Sequence, residues 1–179
     1  KVKEFKPKID KLDFLNSNKL NHNKLRVLYI SDDLNVNYKK NKKGYCELGY
    51  DEYSVLTDLL VCINSYEINL IKRLQFIIKI HPKEQLNKFD SLINKFNIKN
   101  LDIVIIRDCD PLIINYYSDL VIGMHSNMVI ESYLLNKKIL RVQTGQLGQD
   151  ILKFLPLKDN VIILKSDLKN KLFSFLMNY

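Results

Sequence analysis

Short apolar runs alternate with amphipathic stretches along the chain from Leu25 onward. A short run that is almost entirely apolar is typical of a strand with both faces covered, as in a parallel sheet. Five such runs predict strands, and a weaker sixth lies near the end of the chain. They are Leu25–Ile30, 76–80, Asp102–Ile106, 119–122 and Lys138–Val142, with the sixth at 161–164.

The stretches between these runs carry apolar residues at the spacing of one helix face, as Val55, Leu59 and Ile63 do. Because strands and helices alternate, and parallel neighbours are joined by crossover helices, the pattern predicts an α/β fold. We expect a Rossmann-like, doubly wound, mostly parallel sheet of about six strands. The predicted helices are 51–74, 83–96, Pro111–Tyr117, 127–135 and 167–176.

The first part of the chain, residues 1–24, lacks this rhythm and is rich in Lys and Asn. It is predicted to be a linker or a docking arm, with the Rossmann-like domain spanning 25–179. A length of 179 residues suits one domain with a hydrophobic core and is short for two. The chain begins at Lys1 rather than at a methionine, so we expect it to be part of a longer protein.

Composition and charge narrow the function classes. Hydrophobic residues make up 46% and charged residues 27% of the chain, the balance of a globular protein. The net charge of +8 favours an anionic partner. The apolar runs are too short for a transmembrane helix or a signal peptide, so we expect a cytoplasmic protein that can contact the inner face of a membrane. Three separated cysteines without a CxxC pair predict free thiols, and we expect no metal and no cofactor.

Ligands of open α/β sheets bind beyond the carboxyl ends of the strands, so the residues there are the candidates for function. The first strand ends in Ser31-Asp32-Asp33 and the second in His81-Pro82-Lys83. A histidine at a strand end, held by the following proline beside a lysine, can donate to a phosphate oxygen or protonate a departing phosphate. The alternative is a capping histidine whose ring satisfies a loop carbonyl. Basic side chains at Lys83, Arg107 and Arg141 predict a phosphate rim.

A second candidate follows the fourth strand, at Gly123 and His125-Ser126-Asn127. The glycine permits a sharp turn, and Ser126 or Asn127 can cap a helix whose free amides and positive dipole end attract an anion. Glu131 lies one turn further along and can accept hydrogen bonds from ribose hydroxyls. The alternative is a capping box, in which the glutamate only reaches back to the start of its helix.

The remaining patterns are less specific. The basic stretch 39–43 suits a phosphate ligand or an acidic lipid surface, or it is simply a solvated loop. The tyrosines lack regular interleaving with basic residues, so no nucleic acid is expected. No GxGxxG follows the first strand, and no P-loop occurs, which disfavours NAD enzymes and P-loop NTPases.

Taken together, His81-Pro82-Lys83, the strand at 119–123 and the segment 126–139 resemble the C-terminal half of a GT-B glycosyltransferase. The pattern is most similar to bacterial capsule and lipooligosaccharide transferases, including sialyltransferases and polysialyltransferases with an HP motif. The resemblance covers roughly residues 25–142.

The resemblance implies a role for several residues. His81 would contact the nucleotide phosphate and assist the departure of CMP, and Ser126, with Asn127 beside it, would bind the phosphate. Glu131 would hold the ribose. The chain departs from the sialyltransferase pattern because it has His125-Ser126-Asn127 in place of a Ser-Ser or Ser-Thr pair, so the donor nucleotide stays open.

GT-B enzymes have two Rossmann-like domains, and the catalytic base usually comes from the N-terminal one. The resemblance therefore implies the donor-binding half of an enzyme that takes a nucleotide sugar and a saccharide acceptor, with the acceptor-binding domain outside this chain. It implies a role in the synthesis of a bacterial surface polysaccharide, with a CMP-activated sugar as donor.

Two other classes share this type of fold. A response-regulator receiver would use Asp32 and Asp33 to hold a metal and Asp108 as phosphoacceptor, but no Lys-Pro follows the fifth strand. A non-catalytic nucleotide-binding or interaction module is the other alternative.

Overall fold

The computed structural model describes residues 4–40, 46–157 and 160–178. All strands of its six-stranded sheet run parallel, which confirms the predicted α/β fold class. The strands are β1 (Leu25–Ile30), β2 (Leu74–Lys79), β3 (Asp102–Ile106), β4 (Leu120–Gly123), β5 (Lys138–Val142) and β6 (Val161–Ile162).

Helices connect these strands and cover both faces of the sheet. The helix predicted at 51–74 is two helices with a break at 65–67, and β2 begins at Leu74. The C-terminal helix begins at Lys165, two residues before the predicted start. The helices are α1 (Lys11–Ser17), α2 (Leu34–Asn37), α3 (Glu52–Asn64), α4 (Ile68–Arg73), α5 (Asp90–Phe96), α6 (Pro111–Tyr117), α7 (Asn127–Leu134) and α8 (Lys165–Met177).

The helix predicted at 83–96 is wrong over its first half. Only Asp90–Phe96 is helical, and tight turns fill the segment after His81. In these turns Glu84 N–H donates to the carbonyl of His81 three residues earlier, and Lys88 N–H donates to that of Gln85. The buried carboxylate of Glu84 also accepts the N–H of His81, which favours this compact turn over a helix. This local folding positions the loop after β2.

Alternate strand residues point to opposite faces, so the sheet has two apolar layers. Tyr29 and Phe76 belong to the layer covered by α3 and α8, whereas Leu28 and Ile77 belong to the layer covered by α6 and α7. The N-terminal segment packs onto the second layer. Phe14 and Leu15 of α1 are buried there, and the Tyr117 hydroxyl donates to the carbonyl of Ile9 at 2.8 Å.

The strand order is β3–β2–β1–β4–β5–β6, so the chain reverses its direction of travel between β1 and β4. This is the order of dinucleotide-binding Rossmann folds, whereas receiver domains have the order 2-1-3-4-5. The sheet topology therefore argues against the receiver alternative. It also places the crevice for a ligand beyond the carboxyl ends of β1 and β4.

Candidate functional site

A cleft of about 890 Å³ opens at this crevice. Its walls are the segments that follow β1, β2 and β4, together with the start of α7. Six of the residues predicted from the sequence line it: His81, Pro82, Lys83, His125, Ser126 and Asn127. The topology thus brings together two candidate motifs that lie more than 40 residues apart in the chain.

His81, Pro82 and Lys83 form one exposed rim of the cleft. The ring nitrogen Nδ1 of His81 accepts the N–H of Lys83 at 3.2 Å, and the backbone N–H of His81 donates to Glu84 at 2.8 Å. Because Nδ1 acts as an acceptor, the proton of the neutral ring lies on Nε2. Nε2 is therefore available as a donor to a ligand oxygen.

Lys79, the last residue of β2, lies at the floor of the cleft and is 3% exposed. Its ammonium donates to the carbonyls of Ile80 at 2.9 Å and Arg107 at 2.8 Å. Within the described part of the chain no carboxylate forms an ion pair with it. Burial lowers the pKa of Lys79. A buried cation without a counter-charge favours an anion in the cleft.

Sequence reasoning did not select Lys79. It lay inside a run that was interpreted as an ordinary buried strand. The signal was present, however, because a lone lysine in an otherwise apolar parallel strand has to find polar partners at the end of the sheet.

The opposite wall is the start of α7. Ser126 is the N-cap of this helix, and its hydroxyl accepts the N–H of Met128 at 3.3 Å. The positive end of the helix dipole therefore lies at the cleft, where it favours an anion. Ser126 caps the helix and lines the cleft. The alternative, a capping box formed by Glu131, is not seen among the described residues, where Oε2 of Glu131 is buried without a hydrogen-bond partner.

Two acidic residues that follow β1, Asp32 and Asp33, line the cleft. Oδ2 of Asp32 accepts the N–H of His125 at 3.3 Å. Burial raises the pKa of Asp32 to about 6, although hydrogen bonds from the His125 backbone and the Ser126 side chain act in the opposite direction. A carboxyl group with this pKa can accept a hydroxyl or exchange a proton near neutral pH.

Two tyrosine rings flank His125. The rings of Tyr38 and His125 meet edge-on with centroids 5.9 Å apart, and Tyr50 lies at 6.2 Å. The Tyr50 hydroxyl lies 3.2 Å from His125 Nδ1. Burial, helped by the charge of Arg141, lowers the pKa of His125, so the ring stays neutral around pH 7. Tyr38 and His125 thus give the cleft an aromatic side.

Four other residues from the sequence prediction lie away from the cleft lining. Gly123 ends β4, where a Cβ would lie 2.6 Å from Cγ2 of Val129, so its role in the structure is close packing. Arg107 pairs with its neighbour Asp108 at 2.9 Å. Glu131 is half-buried on α7, and burial raises the pKa of its carboxyl.

Arg141 does not form a phosphate rim, which corrects the expectation from its charge. It is 1% exposed, and its guanidinium donates to Asp150 at 2.7 Å and to the carbonyl of Met124 at 3.1 Å. A tight internal pair takes up its charge. Of the basic stretch 39–43, only residues 39 and 40 belong to the described part of the chain, so this prediction lies largely outside it.

One group of carboxylates near the cleft has the spacing of a metal site. Oxygens of Asp33, Glu52 and Glu84 lie within 4.8 Å of one another. The ammonium of Lys88 already pairs with Glu52 at 2.9 Å and with Glu84. Among the described residues this ammonium already pairs with two of the three carboxylates, so the group does not resemble an open metal site.

Solved structures with a similar fold include a glycosyltransferase, a protein in complex with UDP-glucose and a UDP-GlcNAc 2-epimerase. WaaG, a glycosyltransferase involved in lipopolysaccharide biosynthesis, superposes with a TM-score of 0.64 and 13% identity, covering 99% of this chain and 44% of that protein. HepE from Anabaena, in complex with UDP-glucose, superposes with a TM-score of 0.57 and 10% identity, covering 95% of this chain and 44% of that protein. A UDP-GlcNAc 2-epimerase from Methanocaldococcus jannaschii superposes with a TM-score of 0.54 and 17% identity, covering 93% of this chain and 41% of that protein.

These comparisons establish the fold: the chain has the architecture of one Rossmann-like half of a GT-B glycosyltransferase, which the epimerases share. The chain spans less than half the length of these proteins. No protein-family model and no curated protein matches the sequence. None of the helices among the described residues is both long and apolar enough to cross a membrane.

Proposed function

We propose that this chain is the nucleotide-sugar-binding half of a glycosyltransferase. The observation that carries the proposal is the buried ammonium of Lys79, which lies at the floor of a cleft at the topological switch point and forms no ion pair with a carboxylate of the described residues. The cleft also presents His81 and the start of α7. A lysine, a histidine and a helix N-terminus around one cleft suit the phosphate groups of a nucleotide sugar.

Each residue of the cleft would have its own role in binding the nucleotide sugar. The ammonium of Lys79 and the start of α7 bind the phosphate and stabilise the negative charge that grows on it as the bond to the sugar breaks. His81 Nε2–H donates to the departing phosphate oxygen. Asp32 accepts hydrogen bonds from hydroxyl groups of the ligand, and the aromatic side formed by Tyr38 and His125 contacts the nucleobase. The site for the acceptor, and the catalytic base that activates it, would come from a second domain.

The finer parts of the proposal come from the sequence motif. The HP motif favours a bacterial surface polysaccharide, such as capsule or lipooligosaccharide, and a CMP-linked sugar as donor. The solved structure of HepE holds UDP-glucose instead. The basic surface of the chain suits a peripheral contact with an anionic membrane, where such polymers are built.

Calorimetric titration with CMP, CDP, UDP and GDP tests the site. We expect at least one of the four to bind, and His81→Ala and Ser126→Ala each to weaken that binding about tenfold, the scale of one hydrogen bond to a charged group. His22→Ala is the matched control, because His22 is exposed and lies before β1, at the opposite end of the sheet.

The outcomes separate the parts of the proposal. If none of the four nucleotides binds, or if both substitutions leave binding unchanged, the proposed site is wrong. If UDP binds and CMP does not, only the CMP-linked donor is overturned.

A further inference from the structure

A buried chain of charges joins the two loops that flank the cleft. On the β2 side, Glu84 Oε2 accepts the backbone N–H of His81 at 2.8 Å, while its Oε1 pairs with the ammonium of Lys88. Glu84 is 9% exposed. The conformation of the His81 loop therefore depends on a carboxylate that is itself held from the side away from the cleft.

The same ammonium reaches the β1 side. Lys88 Nζ donates to Glu52 Oε1 at 2.9 Å, and Glu52 Oε2 accepts the N–H groups of Leu34 and Asn35, both at 3.2 Å. Glu52 is 1% exposed and sits in the first turn of α3. One lysine thus connects the loop that carries His81 with the loop that carries Asp32.

The surroundings hold this lysine in place. The rings of Tyr53 and Phe89 lie 5.4 and 5.1 Å from its ammonium. Burial by itself would lower the pKa of Lys88, but its hydrogen bonds to Glu84 and Glu52 outweigh this and raise it. Replacing buried ion pairs with apolar groups is often neutral for stability, so stability alone does not account for two buried carboxylates joined by one largely covered lysine.

We propose that Glu52, Lys88 and Glu84 are positioning residues that fix the His81 loop against the Asp32 loop, and so set the width of the phosphate end of the cleft. This inference rests on the proposed nucleotide site for its functional consequence. The connection between the two loops can be tested without a ligand.

The functional test is a double-mutant cycle on nucleotide affinity, measured by calorimetry. If Glu84 acts through His81, Glu84→Ala should weaken binding about tenfold in the natural background and less than about twofold in the His81→Ala background. Glu84→Gln, which keeps an acceptor for the His81 N–H, should recover part of the loss. Equal weakening in both backgrounds would mean a general structural role and would overturn the proposal.

The ligand-free test is amide hydrogen exchange. Lys88→Met should speed exchange at Leu34 and at His81 together, by about tenfold, and leave α8 unchanged. Lys24→Met is the control, because it removes the Lys24–Asp102 pair at the amino end of the sheet. Faster exchange in one loop only, or in neither, would overturn the connection.

The calorimetric test and the hydrogen-exchange test can fail independently of each other. If the natural protein binds no nucleotide, the proposed function falls, and hydrogen exchange still decides whether the network joins the loops. If Lys88→Met does not fold, Lys88→Gln gives the same exchange measurement, because it also removes the ammonium and keeps a polar side chain.

Discussion

The backbone N–H of His125 donates to the carboxylate of Asp32 at 3.3 Å, across the boundary between β4 and β1. This bond spans the point where the strand order reverses. It brings an acidic group to within reach of the same α7 terminus that would attract a phosphate. The cleft therefore combines a carboxyl group of raised pKa with anion-binding groups, and its properties should depend on pH.

Asp32→Asn should stabilise the protein above pH 6. The pKa of Asp32 rises to about 6 in the folded state from 3.8, so the folded state binds more protons than the unfolded state between these values. Stability from this group is therefore full below pH 4 and is lost as pH rises through 6. In urea unfolding, the gain of the variant should grow from near zero at pH 4 to about 1–3 kcal/mol at pH 7.5. A gain that does not change with pH would contradict the assignment.

Lys79→Met should separate binding from stability. The buried ammonium costs desolvation but donates to two carbonyls, so the variant should change the free energy of unfolding by no more than about 1 kcal/mol. Nucleotide affinity should fall more than about tenfold, because the cation of the cleft floor is gone. Lys83→Met, at the exposed rim, is the matched control and should have a smaller effect. Equal losses for the two variants would contradict the special role of the buried lysine.

Gly123→Ala should destabilise the fold by about 1–3 kcal/mol in urea unfolding, because the added Cβ would lie 2.6 Å from Val129 Cγ2. In a Val129→Ala background the same substitution should cost much less, since the clashing methyl group is absent. If the cost is the same in both backgrounds, a different contact makes the glycine necessary.

Arg141→Met should destabilise the protein by about 2–4 kcal/mol, because Asp150 loses its cationic partner and the Met124 carbonyl keeps only a 3.4 Å contact with Gln143 Nε2. Arg107→Met, which breaks an exposed pair with Asp108, should leave the stability nearly unchanged, because solvent screens such a pair. Thermal or urea unfolding measures both. A loss of nucleotide affinity in Arg141→Met, with stability unchanged, would restore this arginine to the phosphate rim.

The pattern of apolar residues was enough to predict the α/β fold. Apolar runs separated by helical stretches have few solutions other than a parallel sheet with crossover helices, because each run must be covered on both faces. The sequence also identified His81 and Ser126 as candidate site residues, because polar residues at the ends of parallel strands meet at one edge of the sheet. It misjudged the segment 83–96, where the buried carboxylate of Glu84 favours tight turns over a helix.

Which charged side chains face the cleft could not be predicted before the fold was known. Lys79 and Arg141 both end or interrupt apolar strands, and nothing in the local sequence separates them. Arg141 pairs with Asp150 in the loop that follows its own strand, whereas Lys79 donates to two carbonyls and forms no ion pair with a carboxylate of the described residues. Local sequence does not show this difference, because Arg107 and Met124, which accept hydrogen bonds from Lys79 and Arg141, come within reach only when the sheet has formed.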